Sequence, residues 1–296
     1  MNAENKQRDS AFHPLNVDPF GRKIDYLRIS ITDRCNLRCR YCMPEDLSLL
    51  PMAEILSYEE ITEIAKAAAE FGISHLKITG GEPLVRKGAA ELIASLKRVP
   101  GIETVTLTTN GTLLSEMLPS LKAAGTDGIN ISLDTLNRER FQEITRFDRL
   151  EAVLEAIEAC CRMGIRTKIN TAVMPDINIE EAEAIAALSE RLPVSVRFIE
   201  MMPIGYGKTC GSFDNGLILK KLLKRYPDLH RISEKQGYGP AVYYASEKLL
   251  GRIGFISAIH GKFCDSCNRL RLTSDGMLKY CLCYEDGIDL KHILRE

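Results

Sequence analysis

A chain of 296 residues, 45% of them hydrophobic and 27% charged, reads as globular, with room for one large domain or one domain plus a smaller module. Its formal net charge of −1 gives no bulk electrostatic basis for binding nucleic acid or an anionic membrane, and no apolar run approaches the roughly 18 residues of a spanning helix. Ten cysteines behind a polar N-terminus without an export signal argue for a reducing, cytoplasmic setting and for metal ligation over disulfides.

Residues 1–20 are polar and hold Pro14 and Pro19, which predicts a loose arm. From Asp25 onward strand-like and helix-like runs alternate. Tyr26–Thr32 predicts the first strand. Ser57-Tyr58-Glu59-Glu60 has the capping-box pattern and opens a helix in which Ile61, Ile64, Ala65, Ala68 and Phe71 share a face, stopped by Gly72. Strand His75–Thr79, helix Ala89–Arg98, strand Thr104–Thr108, helix Leu113–Ala124 and strand Gly128–Leu133 follow. Helix Leu150–Met163, strand Arg166–Val173, helix Ile179–Arg191 and strand Val194–Met201 complete the series. Six successive strand–helix units imply an α/β fold: a six-stranded parallel sheet curled into a partial TIM-like barrel over residues 21–202. Pro203, Gly205, Gly207, Gly211 and Gly216 mark a linker into a smaller α+β module, residues 203–296. That module is expected to hold a helix at Leu217–Arg225 and strand-like runs at Val242–Tyr244 and Arg252–Ile256.

Apolar and polar residues alternate within the strands. Leu27 and Ile29 flank Arg28, Leu76 and Ile78 flank Lys77, Val105 and Leu107 flank Thr106, and Ile129 and Ile131 flank Asn130. Ile169 follows Lys168, and Val196 and Phe198 flank Arg197. The apolar set is expected to face the helices and the polar set the barrel interior. A closed barrel fills its interior with branched apolar side chains, whereas this one would hold Arg28, Lys77, Lys168 and Arg197. Four unpaired buried cations are costly, so they predict an open, wet lumen that binds a polyanion. The plainer alternative is that individual strands are amphipathic edges facing water.

Just after the first strand come Cys35, Cys39 and Cys42, spaced C-x3-C-x2-C. Three thiolates can hold three irons of a four-iron cluster and leave the fourth iron open, the arrangement of a reactive rather than a structural site. A zinc knuckle short of one ligand and three buried structural thiols fit the spacing too. Tyr41 before the third cysteine and the loop Thr79-Gly80-Gly81-Glu82-Pro83 narrow the choice: together these residues resemble the radical S-adenosylmethionine (radical SAM) superfamily.

A second constellation lies near the C-terminus. Cys264, Cys267 and Cys281 are spaced C-x2-C-x13-C, and Cys283 is available as a fourth thiol that would close a zinc or cluster site. Asn268-Arg269-Leu270-Arg271 follows directly, and arginines two apart on an extended segment point to the same side. Beside an open cluster they offer bidentate anion or base-edge contacts; alone they would be a solvated pair. Cys160 and Cys161 fall in a helical run and read as packing residues, and Cys210 in the linker has no assigned role.

From about Phe20 to Leu290 the chain resembles the GTP 3′,8-cyclase family. The resemblance is carried by Phe20-Gly21-Arg22-Lys23-Ile24-Asp25-Tyr26-Leu27-Arg28, Thr32-Asp33-Arg34-Cys35-Asn36, Thr108-Thr109-Asn110-Gly111, Arg197-Phe198-Ile199-Glu200-Met201-Met202 and Phe263-Cys264-Asp265-Ser266-Cys267-Asn268-Arg269-Leu270-Arg271. It implies two 4Fe-4S clusters, one on Cys35, Cys39 and Cys42 and one on Cys264, Cys267 and Cys281, with Cys283 a bystander. It assigns S-adenosylmethionine to Tyr41, Gly81, Ser132 and Met202, with Gly80 and Gly81 kept small for close backbone approach. It assigns GTP to Arg28, Lys77, Thr108, Lys168, Arg269, Leu270 and Arg271, with the guanine on the open iron of the second cluster.

The implied reaction is the first step of molybdenum cofactor biosynthesis. SAM is reductively cleaved, the 5′-deoxyadenosyl radical takes hydrogen from C3′ of GTP, and the ribose radical closes on C8 of guanine. The implied partners are a low-potential electron donor and the next enzyme of the pathway, cyclic pyranopterin monophosphate synthase; a homodimer is compatible with the sequence. Two alternatives stand beside it: a radical SAM enzyme acting on a peptide through an auxiliary cluster, and, outside that class, an iron–sulfur electron carrier or zinc-held binding module. The sequence departs from many family members in stopping at Glu296 without a terminal Gly-Gly pair, which puts full turnover in question rather than fold.

Overall fold

The computed structural model describes residues 16–43, 48–234 and 236–296, with Tyr206 described by its backbone alone. Its strands are β1 (Tyr26–Ser30), β2 (His75–Thr79), β3 (Thr104–Thr109), β4 (Gly128–Ser132), β5 (Thr167–Val173), β6 (Ser195–Glu200), β7 (His230–Ile232), β8 (Val242–Ala245), β9 (Arg252–Ile256), β10 (Arg269–Leu272), β11 (Met277–Lys279) and β12 (Gly287–Asp289). Its helices are α1 (Tyr58–Glu70), α2 (Ala89–Lys97), α3 (Leu114–Ala123), α4 (Arg138–Thr145), α5 (Leu150–Arg162), α6 (Ala182–Ala186), α7 (Leu188–Arg191), α8 (Asn215–Arg225) and α9 (Leu290–Arg295).

All twelve strands form one sheet, ordered β12-β11-β10-β1-β2-β3-β4-β5-β6-β9-β8-β7. The run from β10 to β9 is parallel throughout, and antiparallel strands finish both edges. The parallel run is therefore longer than the six strands counted from sequence. The C-terminal segment does not build a sheet of its own: β9 docks beside β6 and β10 beside β1, so residues 203–296 extend both edges of the first sheet.

The helix starts obey local chemistry. At α1 Ser57 Oγ accepts from the Glu60 amide at 3.1 Å and Glu60 Oε2 accepts from the Ser57 amide at 2.6 Å, a complete capping box contributing about 1 kcal/mol. Ile61, Ile64 and Ala65 are buried, but Phe71, expected on the same face, is 57% exposed because the helix ends at Glu70 and the chain turns away at Gly72. The helix expected over 179–191 is broken: a 3-10 turn at Ile179–Glu181 leads into α6, and α7 is offset from it at Ala187. Helix α4 gives no sequence signal, since only Phe141, Ile144 and Thr145 are buried in a polar octet.

Leu27, Ile29, Leu76, Ile78, Val105, Leu107, Ile129, Ile131, Ile169, Val196 and Phe198 are all buried against the helices in one core with Ile61, Leu92, Leu118, Val153 and Ile157. Each contributes roughly 1.5–3 kcal/mol. Because parallel neighbours share parity, the residues between them line up on the other face. Arg271, Arg28, Lys77 and Thr106 are register partners across β10-β1-β2-β3, and Thr108, Asn130, Lys168 and Ser195 across β3-β4-β5-β6. Gly254 on β9 partners Arg197; a Cβ there would meet Tyr243 at 2.9 Å and Arg197 at 3.0 Å, so the missing side chain makes room for the guanidinium stem.

Residues 1–15 of the predicted arm lie outside the described residues. Residues 16–24 are tied down rather than loose: Val17 and Lys23 form a bridge, and the Ile24 amide donates to the Asn16 carbonyl at 2.7 Å.

Candidate functional site

The first thiol site sits on the loop leaving the carboxyl end of β1. Leu37 and Asn110 donate to Cys35 Sγ, from a backbone amide at 3.4 Å and a side-chain amide at 3.9 Å. The Cys42 amide donates to the Cys39 carbonyl at 2.9 Å, folding the last two cysteines into a turn. Burial pushes all three thiols upward, and for Cys39 and Cys42 the neighbouring thiols and Asp134 add to it. The shift disfavours the thiolate form unless a cation compensates it, and three cysteines on one loop could serve as donors to an iron–sulfur cluster.

The loop Gly80-Gly81-Glu82-Pro83 braces this turn. The Gly81 amide donates to the Thr32 carbonyl at 2.7 Å and the Glu82 amide to the Arg34 carbonyl at 2.8 Å. A Cβ on Gly81 would stand 2.3 Å from the Arg34 carbonyl oxygen, and one on Gly80 2.7 Å from that of Thr32. The glycines are thus required by the cysteine loop itself, a different reason from the ligand approach expected from sequence. Glu82 is buried and accepts from Thr109 Oγ at 2.7 Å and the amides of Asn110 at 2.6 Å and Leu84 at 3.0 Å, so it fastens the loop to the end of β3.

Tyr41 turns inward, and its hydroxyl donates to Asp134 Oδ2 at 2.7 Å while Asp134 Oδ1 accepts from the Ala172 amide at 2.8 Å. Burial pushes the Asp134 carboxyl up to about 6. Tyr41, Ser132, Asp134 and Cys39 line one small cavity of about 30 Å³. Met202 lies just past β6, half-buried, its carbonyl accepting from Ile204 at 2.8 Å.

Across the polar face runs a belt of cations. Arg28 donates to Thr79 Oγ at 3.2 Å, and Arg197 Nε donates to Asn170 at 2.9 Å. Lys77 has no hydrogen-bond or ion-pair partner among the described residues, and burial, reinforced by Arg197, Arg28, Lys168 and Arg166, holds its ammonium far below the ordinary range. Lys168 donates to the Gln236 carbonyl and is brought to about 7 by burial, with Arg197 and Arg166 adding to the effect. Lys77, Lys168, Arg166, Arg197, Asn130 and Tyr26 line a cavity of about 70 Å³ floored by Gly237, Tyr238 and Gly239. That floor comes from the segment between β7 and β8, yet Tyr238 stacks on His75 of β2 and its carbonyl accepts from Asn268 at 3.3 Å. Thr108 Oγ accepts from Asn130 at 3.2 Å beside the same belt.

The second thiol site closes the other end. Cys264–Ser266 is a single 3-10 turn, and Arg269 Nη2 donates to Cys267 Sγ at 3.7 Å while lying over the Phe263 ring. Cys281 and Cys283 follow β11, and the Cys283 amide donates to Cys281 Sγ at 3.5 Å. Arg271 is brought to about 10 by burial, with Arg28 and Arg269 lowering it further and Cys267 and Cys281 opposing. Arg28 responds both to Arg269 and to Cys42 on the first site, so it stands between the two. Leu270 behaves differently from its neighbours: its side chain packs on the helix-side core, leaving only its main chain to the belt. Cys160 is fully buried in that same core.

Sequence reasoning gave no site role to Asp134, Asn110, Arg166 or Tyr238. Asn110 directly follows β3 and Asp134 lies two residues beyond β4, where a loop residue can reach the site, but only the fold shows which thiol or phenol each meets.

Parallel strands and helices carrying a three-cysteine loop after the first strand define a radical SAM protein. The Radical SAM superfamily description matches residues 29–188, more than half of the chain, and Molybdenum Cofactor Synthesis C matches residues 194–296. The chain is 47% identical over 281 residues to the GTP 3′,8-cyclase of Peptoclostridium acidaminophilum, covering 94% of this chain and 86% of that one. It is 46% identical over 284 residues to that of Heliobacterium modesticaldum, covering 94% and 87%. Among solved structures, SuiB of Streptococcus suis bound to S-adenosylmethionine superposes with a TM-score of 0.62 at 16% identity, over 90% of this chain but only 63% of SuiB. Native anSMEcpe with bound AdoMet gives 0.62 at 17% identity, over 92% and 81%. These two likenesses are of fold alone. The chain belongs to the GTP 3′,8-cyclase family. It is a radical SAM enzyme of the first step of molybdenum cofactor biosynthesis, with GTP as substrate and S-adenosylmethionine and two 4Fe-4S clusters as cofactors. No helix among the described residues is long and apolar enough to cross a membrane.

Proposed function

We propose that the cation belt between the two thiol sites binds the triphosphate of GTP and holds its ribose toward Cys35, Cys39 and Cys42 and its base toward Cys264, Cys267 and Cys281. The observation that carries this is the row Arg271, Arg28 and Lys77, directly in register on one face and unrelieved by any carboxylate partner among the described residues. Such a row costs stability unless a polyanion fills it. Cys35, Cys39 and Cys42 would hold a 4Fe-4S cluster, which when bound would supply the electron for reductive cleavage of S-adenosylmethionine. The chain's own residues do the rest of the work: Tyr41, Ser132, Gly81 and Met202 shape the S-adenosylmethionine site, and Thr108, Lys168 and Arg197 orient the phosphates. Arg269, Arg271 and the Leu270 main chain hold the base, and the protein excludes side reactions by positioning.

The contacts of Tyr238 with His75 and Asn268 support a sheet curled into a partial barrel, since a segment from one edge reaches strands near the other. In this reading residues 21–202 supply the barrel strands and first cluster, and residues 203–296 the second. We place the enzyme in the cytoplasm, fed by a low-potential donor, passing its product to cyclic pyranopterin monophosphate synthase, and compatible with a homodimer.

The test is anaerobic reconstitution with iron and sulfide, followed by dithionite, S-adenosylmethionine and either GTP, ATP or a peptide mixture. The expected result is 5′-deoxyadenosine and a cyclised product from GTP alone. A modified peptide, or zinc in place of iron and no 5′-deoxyadenosine, would overturn it.

A further inference from the structure

Arg22 lies 242 residues before Cys264 in sequence, yet its Nη1 donates to the Cys264 carbonyl at 2.9 Å. The guanidinium is held for that contact. Its Nε donates to Asp18 Oδ2 at 2.7 Å, and Nη2 pairs with the same oxygen at 2.6 Å. Asp18 Oδ1 in turn accepts from the amides of Arg22 at 2.8 Å and Phe20 at 3.0 Å, and the Asp18 amide donates to the Arg22 carbonyl at 3.0 Å. Gly21, at φ +75°, permits the tight reversal between them. One edge of the guanidinium is thus committed to Asp18, and the remaining nitrogen is aimed at the cysteine turn.

We propose that Arg22 is a positioning residue of the second thiol site, fixing the Cys264–Cys267 turn through the Cys264 carbonyl and placing a permanent positive charge beside its thiolates. This rests on the reading of that site as a cluster site. The physical grounds are two. The turn is a single 3-10 turn whose internal bond, Cys267 amide to Cys264 carbonyl at 3.1 Å, shares its acceptor with Arg22, so the guanidinium orients the same peptide that sets the spacing of the two sulfurs. A fixed cation also favours the more negative state of a cluster and so raises its reduction potential. Cys267 and Cys264 in turn stabilise the charged guanidinium, whose affinity for its proton is raised first by Asp18 and then by these thiols. Arg269 acts on Cys267 Sγ itself, so two guanidiniums hold the turn through different atoms.

The experiment uses the full chain with Cys35, Cys39 and Cys42 replaced by Ala, so that only the second site can hold iron. Arg22→Gln, Arg22→Lys and Asp18→Asn are compared with this parent. Iron retention is read by chelator competition, midpoint potential by dithionite titration followed by magnetic resonance, and exchange of the 264–267 amides in metal-free protein by mass spectrometry. Arg22→Gln is expected to weaken iron retention roughly ten- to a hundredfold, as loss of an outer partner of metal ligands does. It should also move the midpoint negative and speed amide exchange in the turn. Arg22→Lys should restore the midpoint but not the exchange protection, and Asp18→Asn should shift both in the direction of Arg22→Gln. Unchanged retention, midpoint and exchange in Arg22→Gln overturn the inference while leaving the cluster assignment intact. A parent that binds no iron overturns the cluster assignment and this inference with it.

Discussion

Arg28 and Arg271 are direct register partners on the parallel pair β1–β10, although 243 positions separate them in the chain. Burial lowers both guanidiniums, and Arg28 lowers Arg271 further. Two like charges facing each other across a ladder are destabilising, and here Lys77 extends the row on the far side of Arg28. A fold keeps such an arrangement where a bound anion repays it. The residues that weaken the ligand-free protein are the ones proposed to hold the substrate.

Lys77 therefore gives a two-sided expectation. Lys77→Met removes an ammonium without a partner, and should stabilise the ligand-free protein by about 1–3 kcal/mol. The same substitution should weaken GTP binding by about 1.5–3 kcal/mol, roughly ten- to a hundredfold in Kd, while leaving affinity for S-adenosylmethionine nearly unchanged. Urea unfolding and the two titrations check it. A variant that binds GTP as well as the parent would mean that the belt serves another ligand.

With Lys168 at the triphosphate site, GTP binding should be pH-dependent. In the folded, empty protein it titrates near 7, against about 10.4 in an unfolded chain. Its folded pKa is depressed, so the penalty for the charged form is present in full below pH 7 and relieved as pH rises from there toward 10. A triphosphate favours the charged form, so above pH 7 binding must take up a proton. GTP affinity should fall by up to about tenfold per pH unit between pH 7.5 and 9, and Lys168→Met should flatten that slope. Calorimetry in buffers of different ionisation enthalpy measures the proton directly; equal proton uptake by parent and variant would remove Lys168 from the triphosphate site.

The alternation of Arg28 with Leu27 and Ile29 placed the cation on one face because the side-chain period of a strand is two, and one buried face fixes it. Both cysteine sets stood out in the sequence because thiols that serve one metal site leave a short, regular spacing. The C-terminal strands were not. β10, β11 and β12 are three or four residues long and half exposed, so they carry too little periodicity to announce which edge they join. The fit of Gly81 against the Arg34 carbonyl and the contact of Tyr238 with His75 depend on distant segments meeting, which no local pattern encodes. Leu270 was assigned with its arginine neighbours by motif, yet strand parity alone sends its side chain the other way.

Asp134 offers a test of the first site's surroundings. Its carboxyl is pushed up by burial to about 6 from 3.8, with the Tyr41 and Ala172 hydrogen bonds opposing the rise. A folded pKa above the unfolded one means that the group supports the fold when protonated, and that this support is lost as pH rises from 3.8 through about 6. Asp134→Asn keeps the shape without the charge. Relative to the parent, it should gain on the order of 2–3 kcal/mol at pH 7 and nothing at pH 3.5. Urea midpoints of parent and variant across that range decide it; parallel curves would show that the carboxylate is fully compensated by Tyr41 and Ala172.

Cys281 and Cys283 lie two apart, and only one of them should be a ligand. What Cys283 offers the site is its backbone amide, donated to Cys281 Sγ at 3.5 Å, while its own side chain belongs to an exposed residue. A hydrogen bond to a ligand sulfur tunes a cluster without adding a ligand, and serine at position 283 would leave that amide in place. Cys283→Ser should therefore keep a full complement of iron in the second site, whereas Cys281→Ser should lose or degrade it. With three ligands one iron would remain open to the guanine, so GTP, but not ATP, should perturb the magnetic resonance spectrum of the reduced second cluster in the parent and in Cys283→Ser alike. Both measurements are made with Cys35, Cys39 and Cys42 replaced, so that the first cluster contributes nothing. Iron lost from Cys283→Ser and kept in Cys281→Ser would exchange the two roles. Iron retained without any spectral response to GTP would leave the ligand assignment standing and take the base away from the metal.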